Sequence, residues 1–217
     1  VALAERSGTW PAAVALSPDR RTIATANDAN ATVTIAGVSA PANARTASVG
    51  AHPSDLLFSK DGRTLYVASR GASKIYAIDV ARAKVIGEIA VGAQPRELAL
   101  SADGGSLYVA ESDDDGVGTV NLREAKRVAD VNVGLHAGRA RGYGASPNAL
   151  LVRHDVIFVS LGAENAIAVV RGGKVIERIP TGWYPTGVDV GPENALFVSD
   201  GKGEGSFPDP QYSPLSM

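Results

Sequence analysis

VIGEIAVGAQPRELALSADGGSLYV, Val85 to Val109, is the stretch from which the architecture can be read. It holds an apolar run ending in Val-Gly, then x-Pro, a second apolar run, a Ser-x-Asp-Gly turn and Leu-Tyr-Val. The same grammar recurs on both sides. VALAERSG (Val1 to Gly8), RVADVNVG (Arg127 to Gly134) and VIERIPTG (Val175 to Gly182) are variants of VIGEIAVG, and ARTASVG (Ala44 to Gly50) is a weaker copy. The prolines that follow are Pro11, Pro53, Pro95, Pro147 and Pro185, spaced by 42, 42, 52 and 38 residues. A period in that range marks an architecture built blade by blade or coil by coil.

Each repeat contains runs of five or six residues rich in Val, Ile, Thr and Ala, bounded by Gly, Asp, Asn or Pro, which is how short strands read. None has the length or the 3.6-residue period of a helix. In the second repeat SDLLFS, TLYVAS, KIYAID and KVIGEIAV form four strands, and the third repeats them as RELALS, SLYVAE, VGTVNL and RVADVNV. Four-stranded units at this period are propeller blades. The expected fold is therefore all-β, a β-propeller of four-stranded antiparallel blades. About four are complete, over 9–50, 51–92, 93–143 and 144–182. Val1 to Gly8 reads as a lone last strand, 183–200 as a partial blade, and 201–217 as a Gly- and Pro-rich tail too poor in strand formers to extend a sheet.

Composition excludes several classes. Lys and Arg total 21 against 23 Asp and Glu, so no global field favours nucleic acid or an anionic membrane. Cysteine is absent, which removes disulfides and thiolate metal sites. No apolar run is long enough to span a bilayer as a helix. The chain opens at Val1 with no basic-then-apolar leader, as expected of a processed protein or a piece of a longer one.

LSPDRRTIATAN (Leu16 to Asn27), FSKDGRTLYVAS (Phe58 to Ser69) and LSADGGSLYVAE (Leu100 to Glu111) resemble the repeat of the YVTN-type β-propeller family, the YncE-like or surface-layer-like proteins. IFVSLG and LFVSDG are remoter copies, and the Thr-Asn ending survives only as Ala26-Asn27. The resemblance covers about residues 1–200 and implies closure with seven blades, so this chain is expected to be an open arc. An open arc leaves bare apolar blade faces, and aggregation or dye binding would follow; residues 1–8 pairing within the blade of 186–199 would instead show a closed ring. The end of the chain, through VSDGKGEGS, is similar to the last blades of propellers fused to a metal-dependent, alkaline-phosphatase-like phosphoesterase. It departs at Asp200, where those have Asn, and the catalytic domain is not in this sequence.

In a propeller the connection between blades and the loop between second and third strands share one face. The residues before the repeated prolines, Trp10, His52, Gln94, Ser146 and Tyr184, are thus expected to ring one channel mouth. Asn27, Asp28, Arg70, Asp113 to Asp115 and Glu164 are expected farther out. The one insertion, LHAGRARGY, carries His136, Arg139, Arg141 and Tyr143 over that face. Loops on a rigid scaffold are where binding tends to sit.

No catalytic or metal motif accompanies them. His52, His136 and His154 lack ligand spacing. Asp113-Asp114-Asp115-Gly116 lacks the alternating oxygen ligands of a calcium loop and reads as a solvated turn. Gly201-Lys202-Gly203 is not a phosphate-cradling loop, and no G-x-S-x-G elbow occurs. The reading is a non-catalytic binding or scaffold module, periplasmic or extracellular, without cofactor. Its loop face meets a protein, glycan or small ligand. The alternatives are an accessory propeller of a phosphoesterase and a lactonase-like propeller hydrolase, between which fold alone does not decide.

Overall fold

The computed structural model describes residues 10–135 and 144–202. The strand expected over Val1 to Gly8, the insertion residues His136, Arg139, Arg141 and Tyr143, and the tail from 203 onward lie outside the described residues.

The first sheet holds β1 (Pro11–Leu16), β2 (Thr22–Asn27), β3 (Thr32–Gly37) and β4 (Ala40–Ser48). The second holds β5 (Pro53–Phe58), β6 (Thr64–Ser69), β7 (Lys74–Asp79) and β8 (Lys84–Ala90). The third holds β9 (Pro95–Leu100), β10 (Ser106–Glu111), β11 (Gly116–Asn121) and β12 (Lys126–Asn132). The fourth holds β13 (Pro147–Arg153), β14 (Val156–Leu161), β15 (Ala166–Arg171) and β16 (Lys174–Pro180). A two-stranded sheet of β17 (Trp183–Val190) and β18 (Leu196–Lys202) follows. Every sheet is antiparallel, with its strands in sequence order. The first strands β1, β5, β9, β13 and β17 neighbour one another in turn, so they line the axis. The chain forms an arc of β-propeller blades.

The Ser-x-Asp turns owe their recurrence to side-chain hydrogen bonds. Ser17, Ser59 and Ser101 each donate an Oγ–H to the aspartate two residues on, Asp19, Asp61 and Asp103, at 2.6 Å. Each serine Oγ also accepts the N–H five residues on, at Thr22, Thr64 and Ser106. The serine hydrogen bond, helped by a backbone N–H, holds all three carboxyls below the usual carboxylate range. Gly62 and Gly104 close these turns at φ of 71° and 77°, and Arg20 takes the same left-handed place in the first blade.

The core lies in the seams between blades. Leu65, Val67 and Ile78 of the second blade pack on Ala24, Ala26, Val33 and Ile35 of the first. Its Ala68, Ile75 and Ile89 face Leu98, Leu107 and Val109 of the third. The third and fourth blades meet through Val117, Val133, Leu150, Val159 and Leu161. Both faces of a middle strand are therefore buried, so its apolar pattern is nearly continuous instead of alternating. At the ends of the arc Val14 is 65% exposed and Phe197 58%.

Two expectations need correction. β18 continues to Lys202, which pairs with Trp183, so the fifth sheet takes in two residues assigned to the tail. An outer strand needs a ladder partner on one side only, and Gly201 is tolerated there. Asn27 does not sit out on the loop face: it is 2% exposed. Its amide donates to Thr32 Oγ1 and Thr34 Oγ1 at 3.1 and 2.9 Å, because it ends a central strand and its side chain turns along the sheet.

Candidate functional site

The five residues before the repeated prolines share one backbone state. Trp10, His52, Gln94, Ser146 and Tyr184 all have positive φ, between 42° and 57°. Proline fixes the next φ and disfavours the right-handed helical region for the residue before it. Four of the five carbonyls, those of Trp10, His52, Gln94 and Ser146, accept the N–H that follows the second strand of the same blade, at Asp28, Arg70, Ser112 and Gly162. Interblade connection and second-to-third loop are thereby joined in each blade.

Around this frame the candidate side chains separate. Trp10 is 77% exposed, and Gln94 is half-buried. His52 Nδ1 lies 3.1 Å from Asp28 Oδ1, and Arg70 Nη2 lies 3.8 Å from the same oxygen. Ser146 and Tyr184 line a mouth pocket with Ser112, Asp113 and Asp115. Asp114 and Asp115 are not merely solvated. Asp114 Oδ2 accepts the Ala93 N–H at 2.8 Å, and Asp115 Oδ1 accepts those of Ala145 and Ser146 at 2.6 and 3.3 Å. Glu164 does the same for Leu135 at 2.7 Å and pairs with Arg178 at 3.0 Å. Among the described residues, no three His, Asp or Glu side chains converge in a metal-ligating group.

The axis holds what sequence reasoning missed. A cavity of about 440 Å³ opens between the first strands, lined by Ala12 and Ala13 of β1, Ser54 and Asp55 of β5, and Arg96 and Glu97 of β9. Asn148, Tyr184 and Thr186 close the far side, and Arg70 reaches in from the loop after β6. The signal was the repeat itself: the first residue after each of the five prolines lines the cavity, and after Pro11, Pro53 and Pro95 the second does too. Of the five mouth candidates, Tyr184 lines this cavity.

Its two carboxyls are half-buried between the strands around them. Asp55 Oδ2 accepts the Leu98 N–H of the next blade at 2.8 Å. Burial nevertheless pushes Asp55 up to about 6, against that hydrogen bond and one from Leu56. Glu97 is pushed up to about 7, by burial first and then by the charge of Asp55, with the Leu150 N–H opposing. Asp55 to Leu98 and Glu97 to Leu150 are the same interblade contact, one repeat apart. The hydroxyls and amide are used within the scaffold: Ser54 donates to the Pro95 carbonyl at 2.8 Å and Asn148 to that of Pro185 at 3.0 Å. Arg70 Nε is buried with no hydrogen-bond partner. Arg96 pairs with no carboxylate among the described residues, whereas Arg70 and Arg127 do. The site can thus offer cationic donors and two carboxyls that exchange protons near neutrality.

Fold and cavity together define a β-propeller with a polar axial channel. The family described as "Lactonase, 7-bladed beta-propeller" matches residues 37–129, which is less than half of the chain. Solved structures agree on the fold. Hydrazine synthase of Kuenenia stuttgartiensis is 20% identical with a TM-score of 0.74, the match covering 89% of this chain and 56% of that one. A catalytically inactive virginiamycin B lyase of Staphylococcus aureus with quinupristin is 15% identical with a TM-score of 0.75, over 90% of this chain and 65% of that one. The chain therefore spans less than two thirds of those structures. Among curated proteins, none matches it in sequence.

Proposed function

We propose that this chain is a ligand-binding part of a YVTN-type propeller, in which the axial channel receives a small polar ligand without transforming it. The observation that carries this reading is the cavity lined from five successive inner strands, with charged side chains among its lining. Concave sites with a few convergent polar groups are where small ligands bind. The mouth residues Trp10, His52, Gln94, Ser146 and Tyr184, and the insertion residues His136, Arg139, Arg141 and Tyr143, would form the approach to it. The similarity of the last blades to those of phosphoesterase-fused propellers supports the same non-catalytic role.

Ser54→Trp tests this by filling the channel from β5. Thermal-shift screening of a polar metabolite set should give hits with wild type that the variant loses by about tenfold or more in affinity, as expected when a bulky side chain occupies a subsite. Hits that survive unchanged in a folded Ser54→Trp variant would place binding elsewhere.

A lactonase-like hydrolase is the second reading, favoured by the family match over 37–129 and by carboxyls that titrate near neutrality. On our reading, hydrolysis of glucono-δ-lactone proceeds at the buffer rate. An acceleration abolished by Glu97→Gln would replace our reading with this one.

A further inference from the structure

We propose that the axial cavity binds an oxyanion, a carboxylate or phosphate group, gripped by the guanidiniums of Arg96 and Arg70. This rests on the channel reading above and specifies its ligand. The argument is a count of hydrogen-bonding capacity facing the cavity. Ser54 and Asn148 already donate to backbone carbonyls of the neighbouring blades, and Thr186 Oγ1 lies 3.3 Å from the Ser199 carbonyl. What remains is the two guanidiniums, the Tyr184 hydroxyl and the carboxyls of Asp55 and Glu97, of which Asp55 already accepts the Leu98 N–H; once the carboxyls are protonated the balance lies on the donor side. Arg96 projects from β9 with no acid partner among the described residues, although Glu97 beside it lines the same cavity. Arg70 Nε is buried and unpartnered, while the far end of that guanidinium leans on Asp28 at 3.8 Å. An unsatisfied buried N–H costs free energy until an acceptor reaches it. Guanidinium donors match the paired oxygens of carboxylates and phosphates.

The cavity carboxyls then act as a proton-linked gate. The charged and titratable groups around it are Asp55 on β5, Arg96 and Glu97 on β9, Tyr184 on β17 and Arg70, with Asp28 and its partner His52 behind Arg70. With Asp55 and Glu97 protonated, two guanidiniums dominate and a protonated carboxyl can itself donate to the anion. As pH rises through about 6 and about 7 the carboxyls ionise and oppose the anion. Affinity therefore falls as pH rises, by about tenfold in all where the bound anion raises the two carboxyls by about one unit between them.

The test titrates ¹⁵N-labelled protein with acetate and, separately, dimethyl phosphate, following the amide signals of Arg96, Glu97 and Leu98. Dimethyl phosphate keeps one negative charge from about pH 5 to about pH 8.5, and acetate affinities are referred to its ionised fraction, about two thirds near pH 5, so the remaining pH dependence belongs to the protein. Tetramethylammonium and xylitol serve as cationic and neutral probes. The expected result is saturable binding of the anions at about pH 5, about tenfold weaker at about pH 8.5. Arg96→Gln should weaken it about tenfold at the lower pH, and Glu97→Gln should recover affinity at the higher. The tighter of the two anions identifies carboxylate or phosphate as the source. Anion binding unchanged in Arg96→Gln, a flat pH profile, or preference for tetramethylammonium would overturn the proposal. If tetramethylammonium or xylitol binds and Ser54→Trp abolishes it, the channel reading stands and only the oxyanion falls. If no probe moves these signals, both fall.

Discussion

Glu111→Ala is expected to destabilise the protein by about 3 kcal/mol in urea unfolding, the low end of what removing one partner of a buried ion pair costs. Glu111 is 0% exposed. Its Oε2 accepts Arg127 Nη2 at 2.6 Å, and its Oε1 accepts Arg127 Nε at 3.1 Å and the Gly92 N–H at 2.7 Å. The carboxylate lies in a slot walled by Gly92 and Gly118, where a Cβ on either glycine would run into it. Alanine leaves that slot empty, the Gly92 N–H unpaired and Arg127 with only its longer, exposed contact to Asp130 at 3.6 Å. Because the Arg127 side chain is 32% exposed, water relieves part of its charge, and the larger values for fully enclosed pairs do not apply. Glu111→Met with Arg127→Met should cost less than Glu111→Ala alone, since an apolar pair leaves no orphaned charge. A loss under about 1 kcal/mol for the single variant would show that the pair does not hold the third blade to its connection.

Asp55→Asn and Glu97→Gln are expected to act in the opposite sense, stabilising the protein at neutral and alkaline pH. Both carboxyls have folded-state values above their unfolded ones. Their contribution is therefore fully present below about 4, where both states are protonated. It is lost as pH rises through about 6 for Asp55 and about 7 for Glu97. At about pH 8 each substitution should recover on the order of 2 kcal/mol, and the melting curves of variants and wild type should converge near about pH 4. Asn and Gln keep an acceptor for the Leu98 and Leu150 N–H groups, so the comparison isolates charge. The double variant should gain less than the two singles together, because the charge of Asp55 is one cause of the Glu97 shift. Wild type more stable than either variant at about pH 8 would refute the assignment.

The blades were legible because they rest on local chemistry. Ser17, Ser59 and Ser101 with their aspartates write the first hairpin of three blades into the chain, and the repeated prolines mark where each inner strand begins. Five-residue apolar runs between such punctuation have few alternatives to strands. The tetrapeptide ending was less legible. Asn27, Ser69, Glu111, Leu161 and Asp200 all stand opposite the blade's proline, yet each meets a different local demand. Asn27 bonds along its own sheet, Ser69 Oγ donates to the Ala51 carbonyl at 2.6 Å, and Glu111 takes Arg127 and Gly92.

The site belonged to the tertiary structure. Turn residues such as Trp10, His52 and Gln94 announce themselves by exposure and loop position. Asp55 and Glu97 stand within strands, where a lone carboxyl among apolar residues reads as solvent-facing. Only the stacking of blades shows that the inner strands of consecutive sheets meet at an axis, turning the positions just after the repeated prolines into the wall of one cavity. The same stacking half-buries Asp55 and Glu97 and brings the Leu98 and Leu150 N–H groups of the following blades to them. Period and turn chemistry, being local, were determined by the sequence itself. The convergence of residues about forty positions apart depends on how each blade rotates against the next, and packing across the seams decides that.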